Sequence, residues 1–355
     1  MGMAGDRHYP CAQCGADLRF APGETDLRCD HCGHVQPIPA AGAVRRAAAL
    51  GELDLHTALN ARLPDAVMEE TRVLACPSCG AQVEVSEAAH AQECPYCAAP
   101  IVSDTGTHRH IKPQAVIPFK LGDAEAQKAM DRWLGGLWFA PNGLRDYARK
   151  GRRMAGLYAP CWTFDGASRS RYRGRRGVAR RVKRGKDYET VIRWADVSGR
   201  VARDFDDVAV IASNSLPRHH ADGLQPWDFS ALVAYHPDYL AGFRAEAYTV
   251  PLADGHAIAR QIMQAQIEQD VRRDIGGDRQ VITGLETDWH DETFKHVLLP
   301  VWMAAYRYRG KSYRFIVNGQ SGKVQGERPW SVWKIGFAVL AVAVVIGAVA
   351  VIRNG

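Results

Sequence analysis

Four Cys-x-x-Cys pairs within the first hundred residues constrain this chain more than any other feature. Cys11 and Cys14 are followed, after 14 residues, by Cys29 and Cys32; Cys76 and Cys79 are followed, again after 14 residues, by Cys94 and Cys97. Each pair forms a tight turn that points two sulfurs at one metal, and Gly15, Gly33 and Gly80 stand where such a turn needs a positive φ. Two such turns on short hairpins close a tetrahedral site with no position left for a substrate. The spacing therefore predicts two structural Zn2+ sites in two zinc ribbons, residues 9–37 and 73–102. Each ribbon is too small for a core of its own and would fold on its metal. Iron takes the same ligand set. Redox pairs and disulfides compete, but four evenly spaced pairs behind an N-terminus (Met1 to Pro10) with no apolar segment favour metal.

Zinc ribbons often bind nucleic acid, so their charge matters. Ribbon one carries Arg19 and Arg28 against Asp17, Glu24, Asp26 and Asp30; ribbon two carries Glu84, Glu87 and Glu93 and no Lys or Arg. Four thiolates around a zinc add further negative charge to each. Phosphate contacts need cations, so the ribbons read as protein-docking knuckles. The chain's net charge of +6 resides elsewhere: residues 169–186 hold ten Arg/Lys and no acid, leaving −4 for the rest. Arg169, Arg171 and Arg173 alternate along one strand face, and a loop then carries Arg175, Arg176, Arg180, Arg181, Lys183 and Arg184. A solvated hairpin tip, a contact to lipid headgroups and a contact to nucleic acid compete for this segment. Only Tyr172 interleaves with the charges, so stacking support for nucleic acid is thin.

With 355 residues, 46% of them hydrophobic, the chain can bury a sizeable core, which excludes whole-chain disorder. Residues 41–70 read as a helical spacer ending before Pro64, and 111–329 as the body. Asp123–Leu134 and Asp254–Ile275 read as helices; Val191–Val197, Val208–Ala212, Leu298–Tyr308 and Ser312–Asn318 read as strands. A faint repeat links Leu121-x-Asp123, a helix and Pro160-Cys161-Trp162 to Leu252-x-Asp254, a helix and Pro300-Val301-Trp302. The expected body is α+β, with an antiparallel sheet and internal duplication.

Candidate chemistry does not assemble. Gly310-Lys311-Ser312 lacks the upstream glycine of a phosphate loop, where Ala305 stands. His290 and His296 are not at metalloprotease spacing, and Cys161 lies in an apolar strand. With no nucleophile, base and oxyanion site in view, the chain reads as a non-enzyme. At the C-terminus, Ile335 to Ile352 are 18 consecutive residues without a polar side chain, bracketed by Lys334 and Arg353. This predicts a transmembrane helix over 335–352. The expected protein is tail-anchored in a membrane, single-pass, with its body on the reducing, cytoplasmic side.

Several blocks resemble bacterial TFIIB-type zinc-ribbon membrane proteins, often labelled after the primosomal replication-restart helicase. They are the ribbon at Cys76–Cys97, Pro226-Trp227-Asp228, Tyr239-Leu-Ala-Gly-Phe-Arg-Ala-Glu246 and Thr293 to Trp302. Tyr306-Arg-Tyr-Arg-Gly-Lys311, Val317-Asn-Gly319 and Gly326-Glu-Arg-Pro329 continue the match. The resemblance implies an inner-membrane adaptor that binds protein partners, with an SPFH-domain (flotillin-like) membrane scaffold among them, in envelope-stress assemblies. It implies no helicase activity, since the helicase motifs are missing. The alternative expectation is a membrane-tethered nucleic-acid-binding protein that uses residues 169–186.

Overall fold

The computed structural model describes residues 9–39, 50–60, 62–78, 80–84, 92–94, 100–101, 104–141, 154–185, 187–215, 217–308 and 311–354. Ribbon one is a three-stranded antiparallel sheet, β1 (Leu18–Phe20), β2 (Asp26–Cys29) and β3 (Val35–Pro37). Then come β4 (Leu53–Asp54) and the short helix α1 (Leu55–Leu59), capped by Asp54 through its contact to Thr57 N. β5 (Met68–Ala75) is flanked by β6 (Gln82–Glu84) and β9 (Asp104–Ile111), while β7 (Gln92–Glu93) pairs with β8 (Pro100–Ile101). The body follows: β10 (Ala115–Val116), α2 (Asp123–Gly135), β11 (Ala155–Arg184), β12 (Asp187–Ile211), α3 (Arg218–Gly223), β13 (Val233–Ala234) and β14 (Arg244–Ala245). α4 (Leu252–Ile275), β15 (Arg279–Tyr308), β16 (Lys311–Asn318), β17 (Val324–Gly326) and α5 (Val332–Asn354) complete it.

Three long strands in the order β12-β11-β15 form the spine of a nine-stranded sheet. β11 crosses three environments. From Leu157 to Phe164 every side chain is buried, because both faces are covered. From Ser168 to Gly174 only the even residues are buried, under α4, while Arg169, Arg171 and Arg173 face outward. Beyond Gly177 almost all is exposed, and β15 no longer accompanies the strand. α4 lays Ala259, Met263, Ile267, Val271 and Ile275 on the sheet against Trp162, Phe164, Tyr172, Phe205 and Phe294. These residues recur every fourth position, one face of a helix. Gly174 admits the helix end: a Cβ there would lie 2.8 Å from Ile275 Cδ1 and 2.7 Å from Val281 O.

The weak sequence repeat has a geometric counterpart. Ala115–Val116 runs parallel to β15 as Arg244–Ala245 runs parallel to β11. Ile117 N bonds Leu298 O at 3.0 Å, and Glu246 N bonds Tyr158 O at 3.1 Å. Gly319 N bonds Pro300 O and Ala212 N bonds Pro160 O, both at 2.8 Å. Trp302 Nε1 donates to Leu121 O at 2.9 Å, and Trp162 Nε1 to Val250 O at 3.0 Å. Each half thus lends its lead-in segment to the long strand of the other, a reciprocal exchange with a local two-fold character.

Four expectations need correction. The chain is mostly sheet, 44% strand against 27% helix, rather than the expected α+β. Of the runs read as separate strands, Val191–Val197 and Val208–Ile211 belong to one 25-residue strand and Leu298–Tyr308 is the end of a 30-residue one, while Ser312–Asn318 is β16 itself. Among its described residues, 50–60 and 62–70, the spacer holds β4, a five-residue helix, a single 3-10 turn at Asp65–Val67 and the start of β5. Finally, among the described residues no helix is long and apolar enough to cross a membrane. In α5 the side chains are described without a break only as far as Gly347. Within those described side chains the apolar stretch, Ile335 to Gly347, covers about 20 Å at ~1.5 Å per residue, against a hydrocarbon core of ~30 Å. The tail-anchored, single-pass inner-membrane placement with a cytoplasmic body is therefore set aside.

Candidate metal centre, β arm and charged cluster

The first four-cysteine site is assembled. Cys11 Sγ lies 3.6 Å from Cys32 Sγ, Cys14 Sγ lies 3.6 Å from Cys29 Sγ, and all four sulfurs fall within 4.8 Å of one another. Four thiolates ~2.3 Å from one tetrahedral ion would stand roughly 3.8 Å apart, so the cluster fits a metal. The separations are far too long for disulfides. The two turns are built alike: Gly15 N bonds Cys11 O and Gly33 N bonds Cys29 O, both at 2.9 Å, and both glycines have positive φ (70° and 76°). The Cys32 amide aimed at Cys29 pulls that thiol down to about 6, whereas at Cys14 the Ala16 amide is outweighed by the neighbouring thiols, Cys32 first, which push it up.

The second site is half visible. Cys76 begins a third turn of the same design, with Gly80 N on Cys76 O at 2.8 Å and φ of 75° at Gly80. Cys76 and Cys94 are buried, while Cys79 and Cys97 lie outside the described residues.

Neither ribbon is a bead on a string. Leu18, Phe20 and Leu27 share a core cluster with Phe119, Tyr239 and Ala241, and Phe20 N bonds Ala241 O at 3.0 Å. Val83 of the second ribbon bridges Glu246, and Leu74 and Val83 join the cluster that holds Leu157 and Leu299 of the body.

The basic segment becomes a projecting arm. Arg169, Arg171, Arg173, Arg175, Arg181 and Lys183 share the face of β11 that α4 leaves open, while Arg176, Arg180 and Arg184 point to the other side. β12 and β15 return acids to the open face: Arg171 Nη2 lies 3.7 Å from Asp288 and 4.0 Å from Glu286, and Arg175 Nε lies 3.7 Å from Asp196. The run that is purely basic in sequence is thus partly neutralised where three strands lie together. Pairing also supplies aromatics that the linear reading lacks. Trp194 stands opposite Gly177 and Tyr188 opposite Lys183; the Arg175 guanidinium lies 5.2 Å from the Trp194 ring, and that of Arg181 lies 5.4 Å from Tyr188. Tyr172, by contrast, is buried under α4 with its hydroxyl donating to Asp274 Oδ2 at 2.6 Å. The distal tip also exposes Val178, Val182 and Val191.

The other sequence candidates stay apart. Cys161 is fully buried, and burial pushes its thiol far up. His296 is buried with Nδ1 2.7 Å from Ile111 O, and burial lowers its pKa to about 4. His290 is exposed on β15. Lys311-Ser312 opens β16, and Gly310 lies outside the described residues.

One cluster escaped the sequence reading. Asp165 sits where both neighbouring ladders are irregular, so that Asp206-Asp207 flank it on β12 and Asp291-Glu292 on β15. Asp207 N bonds Asp165 Oδ1 at 2.5 Å, with Asp207 at φ 49°. Lys295 Nζ lies 3.1 Å from Asp207 Oδ1, 3.2 Å from Glu52 Oε1 and 3.8 Å from Asp165 Oδ2. Burial pushes the Asp165 carboxyl up to about 7, outweighing the Asp207 amide and Lys295. Burial also opposes the Lys295 charge, but the carboxylates of Asp165 and Asp207 win and hold its pKa above the usual lysine value. On the far flank, Glu292 is held by His256 (2.9 Å) and Arg260 (2.7 Å).

The chain is 26% identical over 334 residues to a Bacillus subtilis (strain 168) protein named uncharacterized protein YdjG, covering 92% of this chain and 91% of that one. No protein-family model matches the chain. No solved structure matches it either.

Proposed function

We propose that this protein is a non-catalytic adaptor, a metal-structured body that holds a protein partner through its projecting arm. The observation that carries this reading is the arm's distal tip. Tyr188 and Trp194 are exposed on one face of the tip beside Arg181 and Arg175, and Val178, Val182 and Val191 on the other beside Arg180 and Arg184, at and beyond the point where β15 ends its pairing with β11. Apolar and aromatic side chains left exposed on both faces of a projecting arm are costly to leave in water and mark an interaction site. The four-cysteine centre, its ligand set closed by four sulfurs, supports a scaffolding role for the ribbons, with zinc the metal of choice at both sites. The separation of Cys161, His290 and His296 supports a role without chemistry. The family resemblance makes an SPFH-domain scaffold the first partner to try.

The test is affinity capture with the full-length chain and with Trp194→Ala/Tyr188→Ala, with and without nuclease. Reproducible nuclease-resistant partners, lost in the double variant, are expected. Capture of no partner by the intact chain, or equal capture by the variant, would count against the reading.

A second reading, binding of single-stranded nucleic acid, is favoured by the alternation of Arg175, Trp194, Arg181 and Tyr188 on one face. Bases could stack between cations there. Asp196, Glu286 and Asp288 on the same face weigh against it. Salt-sensitive binding of an oligonucleotide by the full chain would reverse the ranking.

A further inference from the structure

Buried polar atoms in a folded protein almost always have partners. Around Asp165 two do not: Thr163 Oγ1 and, nearby, Trp227 Nε1 lack a hydrogen bond, while Asp165 Oδ2 and Asp207 Oδ1 accept none beyond their ion pairs with Lys295 at 3.8 and 3.1 Å. Thr163 is fully buried, Asp165 is nine-tenths buried and Trp227 is 7% exposed. Thr163 lies two residues from Asp165, hence on the same strand face, and directly opposite Lys295 in the ladder. Trp227 lines, with Asp206 and Asp207, an open cavity of about 510 Å³.

Charge points the same way. Glu52, Asp165, Asp206 and Asp207 offer four carboxylates, and Lys295 is the ammonium among them. Taken as ionised, the group keeps a surplus of negative charge in a partly desolvated place. Either a proton or another cation must relieve it.

The fold itself does not require the cluster. Across the local two-fold, the pair Thr163–Lys295 corresponds to Met303–Ala155, which face each other in the same ladder. The duplicated architecture tolerates apolar residues where this half carries charge.

We propose that Asp165, Asp206 and Asp207 form a binding site for a hard divalent cation of Ca2+ size, entered from the Trp227 cavity. A carboxylate oxygen from each of the three lies within 4.8 Å of the others. Ligands ~2.3–2.6 Å from a shared ion stand at most about 5 Å apart, so one ion can reach all three. The cavity leaves room for the waters that complete the shell, and Trp227 Nε1 is a donor for one of them. Lys295 keeps its place on Glu52 and positions Asp207. This site is independent of the adaptor reading and of the thiolate metal centre, because a hard cation prefers oxygen to sulfur.

The test uses full-length, zinc-loaded protein, with calorimetric titration of Ca2+ and luminescence titration of Tb3+, excited through tryptophan and displaced by Ca2+. One Ca2+ per chain is expected, with Tb3+ emission sensitised in the intact protein. Asp206→Asn and Asp207→Asn should each weaken binding about tenfold or more. Asp206 is exposed, so Asp206→Asn should retain the parent melting temperature; Asp207→Asn keeps the backbone of residue 207 but removes a charge from Lys295, so its binding is read well below its own melt. No binding up to about 10 mM Ca2+, beyond the weakest range of protein calcium sites, would overturn the proposal. Undiminished binding in both variants would do so too, by placing the ion elsewhere.

Discussion

Gly255 of α4 lies so close to Trp162 of β11 that a Cβ on the glycine would stand 2.6 Å from the indole Cδ1. The indole cannot step aside, because it is fully buried and its Nε1 is bonded to Val250 O at 3.0 Å. In an open helix, Gly→Ala is worth about 1 kcal/mol in favour of alanine. Here overpacking at about 1–3 kcal/mol opposes it and wins. Gly255→Ala should therefore lower the melting temperature, and Gly284→Ala, where nothing lies within 4 Å, should not lower it by the same mechanism. A thermal melt of the two variants decides the point; a stabilised Gly255→Ala would refute the packing argument.

Metal content makes a second prediction. If both ribbons are zinc sites, elemental analysis returns two zinc ions per chain, and Cys14→Ser, on the exposed side of the first site, reduces this to about one. Chelation should also loosen the body, since the ribbon's Leu18, Phe20 and Leu27 pack in the body's own core. A single ion in the parent would confine the metal to one ribbon. Coloured protein with iron in the digest would replace zinc altogether.

The Cys-x-x-Cys turns were legible because their geometry is local: two cysteines, a glycine and one hydrogen bond. The long helix was legible because Met263, Ile267 and Val271 recur with its period. The length of β11 was hidden for a physical reason. A strand that is buried on two faces, then on one, then on none has no single hydrophobic period. The charged cluster was hidden differently, since Asp165, Asp207 and Lys295 meet only through the register of three strands. The basic run misled for the same reason: Glu286, Asp288 and Asp196 face it only after pairing.

A third prediction concerns the seam between α4 and β12. Arg203 grips Asp270 with two bonds, Nε to Oδ2 at 2.5 Å and Nη2 to Oδ1 at 2.8 Å. The Arg203 bonds hold the Asp270 carboxyl below its ordinary range. A depressed acid contributes stability above its unfolded pKa of ~3.9, and the contribution is lost as pH falls through the folded value. Asp270→Asn should cost about 1–2 kcal/mol at neutral pH, within the range for a charged hydrogen bond at a partly exposed site. The parent and variant melts should converge in acid, as pH falls through the lowered folded value. A gap that persists there would mean the loss is steric.

Asp165 works in the opposite sense. Its folded pKa of about 7, set first by burial, lies above the ~3.9 of an unfolded aspartate. Between those values the folded chain holds a proton that the unfolded chain has released, so stability falls as pH rises from about 4 to about 7. Above that window the carboxylate is ionised in both states and the penalty is complete. Asparagine at this position carries no proton to lose. Asp165→Asn should therefore flatten the decline in melting temperature between pH 5 and pH 8. The difference is worth about 1–3 kcal/mol once the full linkage is discounted for solvent and for Lys295. Lys295 loses one partner in the variant but keeps Asp207 and Glu52, and at pH 5 the parent's Asp165 is largely neutral as well. Melts of both proteins at the two pH values isolate the term. Parallel declines would show that Asp165 is already ionised at pH 5 and that Lys295 alone suffices to hold its charge.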